Sequence, residues 1–187
     1  LTQAVTAVVL CAAPYFLTGF IHLDGFMDVT DAVKSCRDLQ RRREILKDSH
    51  VGSFAVIGCV LLILAQFAFC VSFNMKTDFR VLIVIPVVSR CCSALAVNVL
   101  PKMSTSQYSQ KKVRPADIAI PCVLLALALT FGFSLRFRCG LVLLVELAFY
   151  GQALLRGYRS LQGMNGDISG YCLTISELAA LGALAIL

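Results

Sequence analysis

Long apolar runs broken by short charged links dominate the chain. Six runs are evident, at about residues 1–21, 51–73, 81–100, 117–135, 139–155 and 168–187. Most approach the ~20 residues a helix needs to cross a bilayer. The pattern predicts an all-α, polytopic integral membrane protein with about six transmembrane helices. The link 101–116, rich in Ser, Thr and Gln, reads as a flexible loop, and Pro115 is placed to open the fourth span.

Composition agrees with this reading. The chain is 58% hydrophobic and only 15% charged, where a soluble domain carries about 25% charge. Its net charge of +6 does not point to nucleic acid, because the basic residues cluster in the links. Links 32–50, 101–116 and 156–167 hold twelve Lys and Arg, while the intervening links hold four (Lys76, Arg80, Arg136 and Arg138). The positive-inside rule places the first set in the cytoplasm, and with it the ends of the first and fifth spans and the start of the sixth. Seven of the nine cysteines fall in apolar stretches and none forms a C-x-x-C pair, so they read as small apolar residues rather than a zinc site. The chain opens with Leu inside an apolar run and shows no basic n-region or A-x-A-like cleavage site. We therefore expect a processed or shortened chain without a secretory signal.

Chemistry concentrates in three places. The first is His22-Leu23-Asp24-Gly25, followed by Asp28 and Asp31, where the first run meets its link. At 100° per residue, Asp28 and Asp31 stand about +40° and −20° from Asp24, so the three carboxylates share an arc of ~60°. Burying one carboxylate in a bilayer costs roughly 2.5–3.5 kcal/mol. A divalent cation such as Mg²⁺, bridging to a phosphate-rich substrate, would offset that cost. The plainer alternative is a solvated helix end. Gly25 is expected to let a ligand approach the backbone.

The second place is Arg41-Arg42-Arg43-Glu44-Ile45-Leu46-Lys47-Asp48. Glu44 and Asp48 share a helix face beside a stripe formed by Arg43 and Lys47. This segment reads either as an interfacial helix or as a phosphate-binding one, since Arg presents a planar fork to phosphate. The third place is Gly166-Asp167-Ile168-Ser169-Gly170 at the start of the sixth run. Backbone N–H groups there can hold an anion, or Asp167 can serve as a plain N-cap. Arg90 and Glu146 are charges inside apolar runs. Arg90 either meets a substrate phosphate or pairs with Glu146. His50 has no evident partner and reads as an interface residue.

Together these stretches resemble the cobalamin synthase (adenosylcobinamide-GDP ribazoletransferase) family. Its pattern is H-L-D-G-x-x-D-x-x-D, then E-I-x-K-D-S-x-x-G, then G-D-x-x-G, matched here at His22–Asp31, Glu44–Gly52 and Gly166–Gly170. The family also carries a further N-terminal membrane segment and an aromatic residue where Cys91 stands. Residues 1–187 are accordingly expected to form one transmembrane catalytic domain lacking that upstream segment.

The resemblance implies an enzyme of the bacterial cytoplasmic (inner) membrane with its active site at the cytoplasmic face. A hydroxyl of α-ribazole, or of its 5′-phosphate, would attack the cobinamide-linked phosphate of adenosylcobinamide-GDP and release GMP, with Mg²⁺ as cofactor. The expected metal ligands are Asp24, Asp28, Asp31 and Asp167. His22 is the first choice for general base and Glu44 the second, and Asp48 would orient Lys47 or a metal-bound water. Arg43, Lys47, Arg90 and Gly166 would bind substrate. Partners are the two substrates and the lipid membrane, with a homo-oligomer left open and no nucleic acid. The competing classes are a membrane phosphotransferase of the CDP-alcohol type, whose Ala-Arg after Asp-Gly is missing here, and an ion- or proton-coupled transporter. A transporter would place its acids near the midplane and often show repeats.

Overall fold

The computed structural model describes residues 2–73, 77–103 and 112–187. The described residues are helical apart from turns and a single isolated bridge between Lys102 and Met164. Of the loop expected at 101–116, residues 104–111 lie outside the described residues, as does Lys76.

Among the described residues, eight helices follow in order: α1 (Gln3–Leu17), α2 (Ile21–Lys34), α3 (Leu39–Ile45), α4 (Ser53–Ser72), α5 (Val81–Val99), α6 (Ala116–Leu135), α7 (Phe137–Leu161) and α8 (Gly166–Ile186). The helices α4 to α8 are each long and apolar enough to cross a membrane, and α1 with α2 forms a sixth candidate bent by 87°. The protein is a multi-pass membrane protein. Its outward faces are apolar, as lipid contact requires: Leu61, Leu64, Ile83, Leu127 and Phe131 are all exposed. Among the described helices, α6 packs only against its neighbours α5 and α7.

Two elements differ from the reading of the apolar runs. The first run does not continue into the acidic stretch as one helix. It ends in a Schellman turn, where the Phe20 N–H donates to the Tyr15 carbonyl at 2.9 Å and Gly19 N–H to the Phe16 carbonyl at 3.2 Å. Gly19 and Phe20 are both left-handed, with φ of 58° and 63°. Glycine takes this conformation without strain, whereas Phe20 costs of order 1–3 kcal/mol. The chain then leaves at nearly a right angle as α2. The second difference is α7, which runs to Leu161 and absorbs Arg156 and Arg159 from the expected link.

The described parts of the three basic links lie toward one end of the bundle. The Met103 N–H donates to the Met164 carbonyl at 3.0 Å and the Met164 N–H to the Pro101 carbonyl at 2.9 Å, which ties the end of α5 to the α7–α8 turn. Arg43 of α3 donates from Nε to the Leu161 carbonyl at 3.0 Å and from Nη2 to the Gln162 carbonyl at 2.8 Å. At the opposite end, Asp78 pairs with Arg80 and Arg136, and Arg138 reaches the Leu187 carbonyl. A buried cluster around Phe26, Val29, Leu161, Met164 and Ile168 supports the first end. A second cluster around Val81, Val88, Leu143 and Leu184 fills the other.

Candidate functional site

The acidic stretch is placed by a close crossing of α2 over the first turns of α8. A Cβ at Gly25 would stand 2.8 Å from the Asp167 carbonyl oxygen and 2.9 Å from its Cα. At Gly170 it would stand 3.0 Å from the His22 carbonyl oxygen. The two backbones therefore approach too closely for any side chain. The Thr174 hydroxyl donates to that same His22 carbonyl at 3.2 Å, and Phe26 stacks on Tyr171 with ring centroids 5.9 Å apart. Gly25 thus admits a neighbouring helix, where the sequence had suggested a ligand.

This crossing brings Asp167 to the α2 carboxylates. Half-buried Asp28 experiences the charges of Asp24, Asp167 and Asp31. Asp24 is the exposed member of the group. The Asp31 carboxylate occupies the space where a Cβ of Gly52 would stand, which explains the glycine that closes the second motif. Asp167 is not the N-cap of α8. Asn165 fills that role, accepting from the Ile168 N–H at 3.0 Å, and its amide donates to Asp167 Oδ2 at 2.6 Å. An Asn two residues before Asp167 at a helix start was a readable cap signal. Gly166, the first residue of α8, lies at this same junction.

No three His, Cys, Asp or Glu side chains among the described residues stand close enough to form a metal cage. Mg²⁺ does not require one: it keeps several waters and is held by one or two carboxylates together with substrate phosphates. A group of carboxylates that repel one another, with Asp31 at the edge of a cleft, fits that donor set.

The other expected site residues are distributed differently. His22 stands about 200° from Asp24 on the helix wheel and so lies on the opposite face of α2. Its Nδ1 lies 3.4 Å from Arg90 Nη2. Arg90 is paired with Glu177 rather than Glu146, and it also donates to the Ser89 hydroxyl at 2.9 Å. Ser89 in turn donates to Glu177 at 2.6 Å. This network borders an interior crevice of about 270 Å³ between α1, α4, α5 and α8, on the far side of α2 from its aspartates. Glu177 belongs to none of the three motifs of the sequence. Its i,i+3 spacing from Thr174 was the available signal. Glu146 is fully buried, and its carboxyl oxygens have no hydrogen-bond partner among the described residues.

On the α3 side, Arg43 caps the carbonyl end of α7, as described above. Glu44 pairs with Arg41 at 2.8 Å, and that hydrogen bond holds its carboxyl below the usual range. Asp48 is engaged by His50, through the backbone N–H at 3.0 Å and the ring Nδ1 at 2.7 Å, and these bonds lower its pKa. His50 therefore has a partner after all. Lys47 is exposed just beyond α3. A large open cleft, of about 810 Å³, lies between the end of α2, α3 and the start of α4, with Asp31 and Glu44 in its lining.

Comparison with known proteins is consistent across the chain. A family profile described as cobalamin-5-phosphate synthase matches residues 1–185. A protein of Clostridium perfringens strain 13 called adenosylcobinamide-GDP ribazoletransferase is 38% identical, covering 97% of this chain and 74% of its own length. A Clostridium botulinum strain Alaska E43 protein of the same name is 31% identical over 90% of this chain and 69% of its own. One from Desulfitobacterium hafniense strain Y51 is 30% identical over 98% and 75%. No solved structure matches the chain.

Proposed function

Because this chain belongs to the cobalamin-5-phosphate synthase family, we propose that it is an adenosylcobinamide-GDP ribazoletransferase. It transfers adenosylcobinamide phosphate from adenosylcobinamide-GDP to α-ribazole, or to its 5′-phosphate. This is the final assembly step of cobalamin. The observation that carries the reading is the convergence of Asp24, Asp28 and Asp31 with Asp167 at the Gly25–Gly170 crossing.

The reaction forms a bond from the α-ribazole hydroxyl oxygen to the cobinamide-linked phosphorus. The anhydride bond to GMP breaks, and GMP departs with the bridging oxygen. The chain must gather anionic phosphates, keep them in line with the hydroxyl and accept its proton. His22 faces away from the aspartates, and the Glu44 carboxylate is engaged by Arg41. The proton therefore passes to a carboxylate of the acidic group, of which Asp24 is the exposed member. Asp28, with Asp31 and Asp167, would hold Mg²⁺ and leave exposed Asp24 to take the proton; the cation when bound supplies positive charge against the phosphoryl oxygens. The excess of Lys and Arg at this end favours the cytoplasmic side of a bacterial inner membrane.

The decisive experiment is turnover in detergent or lipid with both substrates, with and without Mg²⁺. GMP release should require adenosylcobinamide-GDP, α-ribazole and the cation together. Release without α-ribazole, or none at all, would overturn the assignment.

A further inference from the structure

The open cleft of about 810 Å³ beside Asp31 has a mixed lining. Arg37 and Asp38 come from the α2–α3 link, and Ile45 and Phe54 contribute apolar surface. Phe54 lies in the first turn of α4 and is 46% exposed. The volume is within the range of small-molecule sites, about 300–1,000 Å³. A site for a bare anion would carry an excess of positive groups. Here guanidinium and carboxylate groups are interspersed around an aromatic face. That lining suits a flat ligand carrying both hydrogen-bond donors and acceptors.

The arginines of this region are not equivalent. Arg42 and Arg43 are turned to the carbonyl end of α7, and Arg41 is paired with Glu44. Arg37 is the exposed guanidinium left to the cleft. Asp38 caps α3 through Oδ1, which accepts from the Arg41 N–H at 2.9 Å, so its second oxygen remains for a ligand. Guanine is complementary to this pair. Arginine donates to guanine O6 and N7, and a carboxylate accepts from N1–H and the 2-amino group. An adenine ring would present an amino donor to Arg37 in place of O6. The base face stacks on an aromatic side chain.

We propose that this cleft seats the guanosine of the nucleotide-activated substrate, with the base against Phe54, Arg37 and Asp38 and the phosphates toward Asp31. The inference rests on the transferase reading above and deepens it. In-line displacement then requires the acceptor hydroxyl to arrive from the side of the phosphorus opposite GMP, which lies outside the cleft.

The test is equilibrium dialysis of GMP against the full chain in lipid nanodiscs, with AMP as competitor and turnover measured in parallel. Wild type should prefer GMP to AMP. Phe54→Ala and Arg37→Gln should each weaken GMP binding about tenfold or more. The Arg37 variant should also lose most of the preference for GMP over AMP. In turnover, both should raise KM for adenosylcobinamide-GDP and leave KM for α-ribazole unchanged. Phe54→Tyr keeps a stacking face and should bind as wild type. Unaltered GMP affinity in Phe54→Ala and Arg37→Gln would overturn the proposal, as would a rise confined to the α-ribazole KM or equal loss in Phe54→Tyr. A wild-type chain that binds GMP selectively but releases none from adenosylcobinamide-GDP would sink the transferase reading alone. Normal turnover with GMP binding indifferent to both variants would sink the cleft alone.

Discussion

Replacing Gly25 by Ala tests the crossing on which the site is built. The new Cβ would lie 2.8 Å from the Asp167 carbonyl oxygen and 2.9 Å from its Cα, against an ordinary contact of 3.4–4 Å. Both obstructing atoms are backbone, so no rotamer can give way, and α2 and α8 must part by roughly half an ångström or more. Overpacking of this kind costs about 1–3 kcal/mol. Ala gains back about 1 kcal/mol over Gly in a helix interior. The net loss of stability is then about 0–2 kcal/mol, too small to unfold the protein. Activity should suffer more, because a displacement of ~1 Å at reacting groups can cost 100-fold, and Asp167 moves away from Asp28. We expect turnover to fall roughly ten- to a hundredfold. Gly151 is the internal control: nothing lies within 4 Å of its would-be Cβ, so Gly151→Ala should be neutral or slightly stabilising. Helicity against temperature by circular dichroism, together with GMP release, reads both quantities. Wild-type turnover in Gly25→Ala, or equal behaviour of the two alanine variants, would refute the argument.

Other expectations follow from the same geometry. Asp24→Asn and Asp28→Asn should abolish GMP release while membrane insertion, followed by fractionation, stays intact; unchanged turnover would remove these carboxylates from the reaction. Arg90→Glu should destabilise the bundle by roughly 2–4 kcal/mol, somewhat under a fully buried pair because the Arg90 side chain is 37% exposed. Adding Glu177→Arg should recover part of that loss, and an unrescued double variant would dismiss the pairing. Arg43→Ala should cost about 1–3 kcal/mol through two lost guanidinium–carbonyl bonds; a change confined to KM would return Arg43 to the substrate. The Asp48 pKa is lowered in the fold by His50, so this contact contributes above the ordinary carboxylate range near ~4 and is lost as pH falls through the depressed value. NMR titration of the His50 ring should show its environment changing in that acid window.

The hydrophobic pattern carried the spans because lipid contact demands long apolar stretches, and α4, α5, α6 and α8 begin and end within two residues of the runs. The elbow after α1 was not legible, since apolar residues continue through Phe20 and Ile21 and the bend resides in the backbone of Gly19 and Phe20. The glycines of the three motifs stood out by position, but Gly25, Gly52 and Gly170 owe their identity to neighbours on other segments. The roles within the arginine stretch were hidden for a similar reason. Arg41 and Arg43 look alike in sequence, and only the exposed carbonyls at the end of α7 decide which of them turns away from the cleft.

The elbow resolves a conflict in the sequence. A helix with three aspartates on one arc cannot continue α1 into lipid without burying at least one carboxylate, at about 2.5–3.5 kcal/mol each. Turning by 87° instead lays α2 across the end of the bundle. Its two faces then do different things. The His22 side docks on α8 and on the Arg90–Glu177 pair, where the bundle supplies polar partners. The aspartate side is left toward solvent and the cleft. The strain of a left-handed Phe20 is of the same order as the cost of burying one of those charges. Phe20→Gly should therefore relax the turn without opening it, leaving turnover near wild type and raising thermal stability by about 1 kcal/mol. A Phe20→Gly variant that lost activity while remaining folded would mean that the Phe20 ring, rather than the backbone turn, holds α2 in place.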